Sequence, residues 1–501
     1  MRRLVAVLAL LLLVGCQAQA SPVPQADWWA GLGTTPEADR GPVGRPNIVL
    51  ITTDDQADYD LRWMPRTRRL LGQAGVTFRD SVSPHPLCCP ARAEILTGQF
   101  AQNNGVRTNE GQRHGGYKAM HSYRDTIGPW LRAAHYRTAF IGKFLNGYRS
   151  SSPRIPGWDE WHPLLEDMGA YRYYDFSARD NDVIRHYTDV HVSDFIAGET
   201  ATLVRRFAGQ HRPFFIWQSH VAPHGACVPD GDSWCWGPPV PARRHSSMLA
   251  GVRPPSFDDP AFFERDLTDK PAYLHGLAAT PRRREVLHEH FTRRIQALQS
   301  VDEAVAKTIR VLRQTGELRN TLVLFTSDNG FVLGEHRWMG KDVPYEPSIQ
   351  VPLLLRGPGL PRGVTRDATV ATVDLAPTFV ELAHARPTVA LDGRSLVPLA
   401  EDASATGWED LLIQDGPRLG EGDGAGWSYR GVRTARYTYV EYTMYGTELY
   451  DRQRDPHELT NVAGDPAYEA VERALRRRAQ ALRTCSGESC RRDFGPLPSP
   501  E

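Results

Sequence analysis

Asn47-Ile48-Val49-Leu50-Ile51-Thr52-Thr53 runs straight into Asp54-Asp55. The run is apolar or β-branched with no polar alternation, which is what a strand needs when both its faces are covered, as in a parallel sheet. The two carboxylates then stand at the strand's carboxyl end. The pattern recurs along the chain. Residues 137–142 stop at Lys143, residues 214–218 are followed by His220 and His224, and residues 320–326 stop at Ser327-Asp328-Asn329-Gly330. Pro352-Leu353-Leu354-Leu355-Arg356 is a further strand, closed by Gly357-Pro358-Gly359. Residues 64–74, 126–134, 194–208 and 283–315 read as helices between them, with another begun near Asp374. The alternation predicts an α/β fold: a large, mostly parallel sheet sandwiched by helices. Ligands of such sheets bind beyond the carboxyl ends of the strands. Here that edge carries Asp54, Asp55, Lys143, His224, Asp328 and Asn329.

After about residue 400 the pattern changes. Short tyrosine-rich strands at 429–432, 437–442 and 449–451, then a helix at 467–483, predict a small C-terminal antiparallel sheet plus helix. The expected organisation is a catalytic domain over 46–400 and a smaller subdomain over 401–501. There is no internal repeat and no membrane span after the start of the chain.

The 501 residues carry 59 Lys plus Arg against 59 Asp plus Glu. No global field steers the protein to nucleic acid or an anionic membrane, so any anion must be met by a local site. Met1-Arg2-Arg3 with the apolar run Leu4 to Val14 is an export signal, too short to span a bilayer. Leu13-Val14-Gly15-Cys16 resembles a bacterial lipobox, which implies a signal over 1–15 and lipidation of Cys16; cleavage near Ala18 or Ala20 is the alternative. Residues 16–45, rich in Ala, Pro and Gly, read as a flexible tether. The expected location is therefore exported: anchored by lipid to the outer face of a bacterial cytoplasmic membrane, or periplasmic or extracellular. Of the remaining six cysteines, Cys227/Cys235 and Cys485/Cys490 suit small disulfide loops. Cys88 and Cys89 are left over.

Those two open Cys88-Cys89-Pro90-Ala91-Arg92, with Leu96-Thr97-Gly98 following. Pro90 suits a first helical position, setting Cys88 beside a helix N-terminus that favours an anion. Asp54, Asp55, Asp328 and Asn329 bring three carboxylates and an amide to one edge. Such a cluster calls for a cation, and oxygen donors favour Ca²⁺ or Mg²⁺ over zinc. Arg92, Lys143, His224, His336 and Lys341 add positive or proton-donating groups, and the set describes a site for an oxyanion ester. Taken singly, each residue also fits a plain structural role: Asp54 as a helix cap, Asp328-Asn329-Gly330 as a turn, Cys88 as a buried cysteine.

The Cys-x-Pro-x-Arg and Leu-Thr-Gly elements resemble the signature of the formylglycine-dependent sulfatases, of the alkaline-phosphatase-like superfamily. The resemblance extends through Asp54-Asp55, Gly142-Lys143, Ala222-Pro223-His224, Ser327-Asp328-Asn329-Gly330, Gly334-Glu335-His336 with Lys341, Asp374-Leu375-Ala376-Pro377 and Glu448-Leu449-Tyr450-Asp451. It implies that Cys88 is oxidised by a formylglycine-generating enzyme to an aldehyde held as its hydrate. One hydroxyl attacks sulfur, and the alcohol leaves with a proton from His224 or Lys341. The second hydroxyl is then deprotonated, and the carbonyl re-forms as sulfate departs. It implies one Ca²⁺, in preference to Mg²⁺, on Asp54, Asp55, Asp328, Asn329 and the modified residue 88. Arg92 would steady the hydrate, with Lys143 and Lys341 on the sulfate.

Two departures are Ala91, where many members have serine, and Leu145, where many have histidine two residues after the lysine. The double cysteine, Lys143-Phe144-Leu145-Asn146 and Ala-Pro-His are most similar to the N-acetylglucosamine-6-sulfatase branch. A sulfated sugar is thus the expected partner, in glycosaminoglycan degradation, with Asn146 and His336 as candidate sugar contacts. Trp158, Trp161, Trp234 and Trp236 fit either sugar stacking or core packing. Three functional readings stay open: sulfate-ester hydrolysis, including aryl sulfates; phosphate or phosphonate monoester hydrolysis on the same scaffold; and a non-catalytic, lipid-anchored binder of sulfated glycans.

Overall fold

Strand β1 (Asn47–Thr53) is buried at every position. Its side chains divide by the two-residue period of a strand. Ile48 and Leu50 enter one core, Val49 and Ile51 another, which is why the sequence shows no polar alternation. This is seen in a computed structural model, which describes residues 44–111, 113–210, 212–227, 237–417 and 426–501. The signal segment, Cys16, most of the tether, Trp234, Cys235 and Trp236 lie outside the described residues.

Among the described residues the main sheet has eight strands: β1, β2 (Val76–Phe78), β3 (Arg137–Gly142), β4 (Glu160–Pro163), β5 (Phe214–Ser219), β6 (Thr321–Ser327), β7 (Leu353–Arg356) and β8 (Val364–Arg366). Their order is β8-β2-β7-β6-β1-β5-β3-β4. β1 pairs in parallel with β5 and β6, and β3 pairs in parallel with β4 and β5. β7 alone runs against both its neighbours, β2 and β6. One face is covered by α1 (Cys88–Thr97), α2 (Ile127–Ala133) and α5 (Leu375–Ala383); the other by α3 (Val192–Ala208) and α4 (Pro281–Gln314). α4 starts at Pro281 with Thr280 as its cap, the Thr280 hydroxyl accepting from the Arg283 N–H at 3.2 Å. No helix of the described residues is long and apolar enough to cross a membrane.

The C-terminal sheet has four antiparallel strands, β9 (Leu411–Asp415), β10 (Tyr429–Arg433), β11 (Tyr437–Tyr442) and β12 (Thr447–Asp451), with α6 (Glu469–Leu482) packed on it. Residues 411–415 and 160–163 were not visible as strands in the sequence. A buried arginine ties this sheet to the larger one: Arg433 bonds Asp80 at 2.7 Å and Glu346 at 2.8 Å. Cys485 and Cys490 form the expected disulfide. Cys227 is disulfide-bonded, while Cys88 and Cys89 are free and buried. Trp158 and Trp161 are core residues: Trp161 packs on Phe140 and Phe144 with ring centroids 5.1 and 5.0 Å away, which excludes them from stacking on a sugar.

Parallel pairing places the carboxyl ends of β1, β3, β5 and β6 on one edge, and Asp54, Lys143, His220 and Asp328 follow directly. Leu324, at the middle of β6, is 0 % exposed. Leu324→Ala is expected to destabilise the protein by about 2–5 kcal/mol, seen as a lower urea midpoint with an unchanged slope. Ile184→Ala, at a position 39 % exposed, should change stability by less than about 0.5 kcal/mol.

Candidate active site

Helix α1 begins at Cys88, with Leu87 flanking it. Pro90 is therefore at the third helical position and not the first. This costs nothing, because the first four N–H groups of a helix have no partner within it. The Cys89 N–H is satisfied instead by the Asn109 side-chain oxygen at 2.8 Å. Cys88 points into a buried cluster. Its Sγ lies 2.6 Å from Lys341 Nζ, 3.3 Å from Asp54 Oδ1 and 3.7 Å from Asp55 Oδ1. Burial, reinforced by Asp54, pushes the thiol pKa well above its usual value despite Lys143 and Lys341. The unmodified side chain is a thiol, not a thiolate.

The carboxylates are held by a closed set of bonds. Lys143 Nζ bonds Asp54, and Lys341 Nζ bonds Asp55 Oδ1 at 2.5 Å. Arg92 Nε bonds Asp328 Oδ2 at 2.7 Å, and its Nη1 reaches the Lys143 carbonyl and Ser219 Oγ, each at 2.7 Å. Asp328 Oδ1 accepts the N–H groups of Asp55 and Asn329 at 3.1 and 2.8 Å. Burial alone would raise all three carboxyl pKa values. For Asp54 this is outweighed by Lys143, then His224 and Arg92, and the group stays below the carboxylate range. Asp55 is lowered likewise, chiefly by Lys341. Asp328 is pushed up to about 6 by burial and the nearby Asp54. Three carboxylates thus face three cationic side chains with almost no access to water.

His224 follows β5 and brings Nε2 to 3.8 Å from Asp55 Oδ2. Its Nδ1 is 2.8 Å from the Gly225 carbonyl. A carbonyl only accepts, so Nδ1 carries the proton and Nε2 of the neutral ring is the acceptor. Burial lowers its pKa to about 4. The ring packs at a tilt against Tyr171, centroids 4.8 Å apart, and Lys143 Nζ is 5.0 Å from the same tyrosine ring. Asn146 Nδ2 donates to the Tyr171 hydroxyl at 3.2 Å.

Asp54, Asp55, Cys88 and His224 offer ligand atoms all within 4.8 Å of one another. Asn329 sends Nδ2 to Asp55 Oδ1 at 2.8 Å, while its buried Oδ1 has no partner. An orphaned amide oxygen beside three buried carboxylates is donor chemistry that fits one hard divalent cation.

His336 is not in this cluster. Its Nδ1 lies 2.7 Å from Glu264 Oε2, and its ring packs 4.2 Å from Tyr345. It lines a separate cavity of about 230 Å³ with Asp58, Tyr59, Asp259, Glu335 and Glu458. Conversely, the sequence reading missed Arg294. Its Nη2 bonds the Asp55 carbonyl and Asp60 Oδ2, the latter at 3.1 Å, and fixes the backbone behind the carboxylates. The signal was available: Arg294 interrupts the apolar stripe Leu287, Phe291, Leu298, Val301 of α4, and a charge in that phase needs a buried partner.

The Sulfatase family profile matches residues 46–385. A second profile, N-sulphoglucosamine sulphohydrolase, C-terminal, matches 334–485. The chain is 35 % identical over 388 residues to the extracellular sulfatase SULF-1 homolog of Drosophila melanogaster, covering 74 % of this chain and 33 % of that one. It is 30 % identical over 494 residues to the N-acetylglucosamine-6-sulfatase of Homo sapiens, covering 89 % and 86 %. It spans 33 % and 49 % of the length of the extracellular sulfatase relatives from the fly and from Caenorhabditis elegans. In fold, it is similar to the solved structure of a protein in complex with its substrate D-glucosamine-2-N,6-O-disulfate. That likeness has TM-score 0.70 and 23 % identity, covering 87 % of this chain and 97 % of the other. With the family profile spanning well over half the chain and the signature cysteine at the centre of the buried cluster, the chain belongs to the sulfatase family.

Proposed function

We propose that the protein hydrolyses a sulfate ester of a sulfated saccharide, of the N-acetylglucosamine 6-sulfate class, at residue 88 after its conversion to formylglycine. The observation that carries this reading is the convergence on Cys88 Sγ of Lys341 Nζ, Asp54 and Asp55 in a buried cluster. The thiol stands where the hydrate oxygens of the aldehyde would lie. The human relative, N-acetylglucosamine-6-sulfatase by name, supports the substrate class.

Asp54, Asp55, Asp328 and Asn329 would hold Ca²⁺, which supplies a fixed positive charge against the ester oxygens and the ionising nucleophile. Lys143 and Lys341 bind and orient the sulfate oxygens with protonated amines held in place by Asp54 and Asp55. Arg92, locked by Asp328 and Ser219, is a positioning group for residue 88. Lys341 Nζ, 2.6 Å from Cys88 Sγ, would give the proton to the leaving alcohol, while His224 Nε2, an acceptor in the neutral ring, would act as an acid only after taking up a proton. Tyr171 and the buried strand ends exclude water from the opposite side. Asn146, bonded to the Tyr171 hydroxyl, would be a sugar contact; His336 would touch only a substrate that extends toward its own cavity.

The charge count supports paired loading. The cluster is balanced as it stands, so a divalent cation enters at least cost together with an anion. We read residues 46–400 as the catalytic part, with 401–501 closing one side through Arg433. The N-terminal sequence and the naming of two relatives as extracellular support export, with Cys16 as the lipid anchor.

The first test is release of sulfate from N-acetylglucosamine 6-sulfate by protein matured in its own host. Turnover is expected for the wild type, none for Cys88→Ala, and a loss of about 10²–10³ in kcat for Lys341→Ala. Hydrolysis of 4-nitrophenyl phosphate in preference to every sulfate ester would reject the reading. Ca²⁺ should raise the thermal midpoint, by about 2.7 kcal/mol of stability at a hundredfold excess over Kd. Sulfate added with Ca²⁺ should raise it by more than the two separate shifts combined, and Asn329→Ala should weaken both effects. A chelator-treated protein whose midpoint ignores Ca²⁺ would exclude the metal site.

A further inference from the structure

A second concentration of positive charge lies on β10 and on the loop that leads to Asn109. The guanidinium groups of Arg107 and Arg430 both lie against the Trp427 ring, 4.7 and 4.4 Å from its centroid. Arg430 donates Nη2 to the Arg483 carbonyl at 2.5 Å. The Nε atoms of both Arg107 and Arg430 are buried and have no acceptor. Among the described residues no carboxylate stands within ion-pair distance of either group. Glu441, opposite Arg430 across the sheet, bonds Arg483 and lies 3.4 Å from Arg476. Asp415 is 3.4 Å from His85. Burial and the neighbouring Arg483 and Arg107 lower the Arg430 pKa to about 9.

Both guanidinium groups are partly withdrawn from water, and a charge so placed is stabilised by an opposite charge. Cation–π contact with Trp427 supplies part of that stabilisation but leaves the Nε–H donor of each arginine unused. Their planar donor forks match sulfate and carboxylate oxygens. The patch is also tied to the reacting residue. Arg107 is two residues before Asn109, which binds the Cys89 N–H. Trp427 lies 6.3 Å, ring to ring, from His85, three residues before Cys88.

We propose that Arg107, Arg430 and Trp427 form a second anion subsite, taking a sulfate or carboxylate group on a saccharide unit beside the one whose ester is cleaved. This rests on the sulfated-saccharide reading given above. It makes the preferred substrate a chain with more than one acidic group, not an isolated monosulfate.

The test titrates a heparin hexasaccharide, and separately inorganic sulfate, into Cys88→Ala protein and into the same protein carrying Arg107→Gln and Arg430→Gln. Hexasaccharide Kd should rise at least about tenfold in the triple variant, with the thermal midpoint retained. With Cys88 intact, turnover of 4-nitrophenyl sulfate should be unchanged by the two arginine substitutions. If the triple variant fails to fold, Arg430→Lys replaces it; keeping the charge and losing the fork, it should show a smaller but measurable loss. Unchanged hexasaccharide affinity in a folded variant would overturn the subsite, as would an equal loss for inorganic sulfate alone, which would make it a free-ion site. Loss of hexasaccharide affinity in a protein that hydrolyses no sulfate ester would instead reject the hydrolase reading and leave the subsite standing.

Discussion

Three carboxylates, Asp54, Asp55 and Asp328, sit at the ends of adjacent parallel strands with almost no access to water. Like charges so placed cannot remain ionised unless opposite charge is built around them. The structure meets this with Arg92, Lys143 and Lys341, drawn from a helix, a strand end and a loop distant in sequence. Each cation is itself fixed: Arg92 by Ser219 and the Lys143 carbonyl, Lys341 by contact with both Asp55 and Cys88. The scaffold is thus over-determined at one point. That point is also where the signature cysteine emerges from the start of α1.

The same constraint separates what was legible in the sequence from what was not. β1, β5 and β6 could be read because strands covered on both faces become unbroken apolar runs, and the charges that stop them are conspicuous. Residues 160–163 and 411–415 gave no such run, since Glu160-Trp161-His162-Pro163 mixes polar and aromatic residues and Leu411–Asp415 is short. Both are edge strands, and their strand character comes from pairing with a single neighbour, residues 139–142 and 429–433. Arg294 shows a further limit. It acts through Asp55's backbone from the opposite face of the sheet, and only its phase on α4 marks it.

His336 and Lys341 illustrate why motif spacing does not place side chains. They lie five residues apart in one short run, yet His336, Arg337 and Asp342 adopt left-handed backbone angles (φ 48°, 58° and 60°). The turn carries Lys341 to Cys88 and leaves His336 with Glu264. Pro90 is a milder case: its helix starts two residues earlier than proline preference suggests, which puts Cys88 itself in the first turn.

The account stands on one chemical event, conversion of a buried, unpaired thiol into an aldehyde. Mass spectrometry of the peptide bearing Cys88, from protein secreted by its own host, tests it most directly. The account predicts the defined mass loss of thiol to aldehyde at residue 88, with Cys89 unchanged. An intact cysteine at 88 in protein that actively releases sulfate would contradict it.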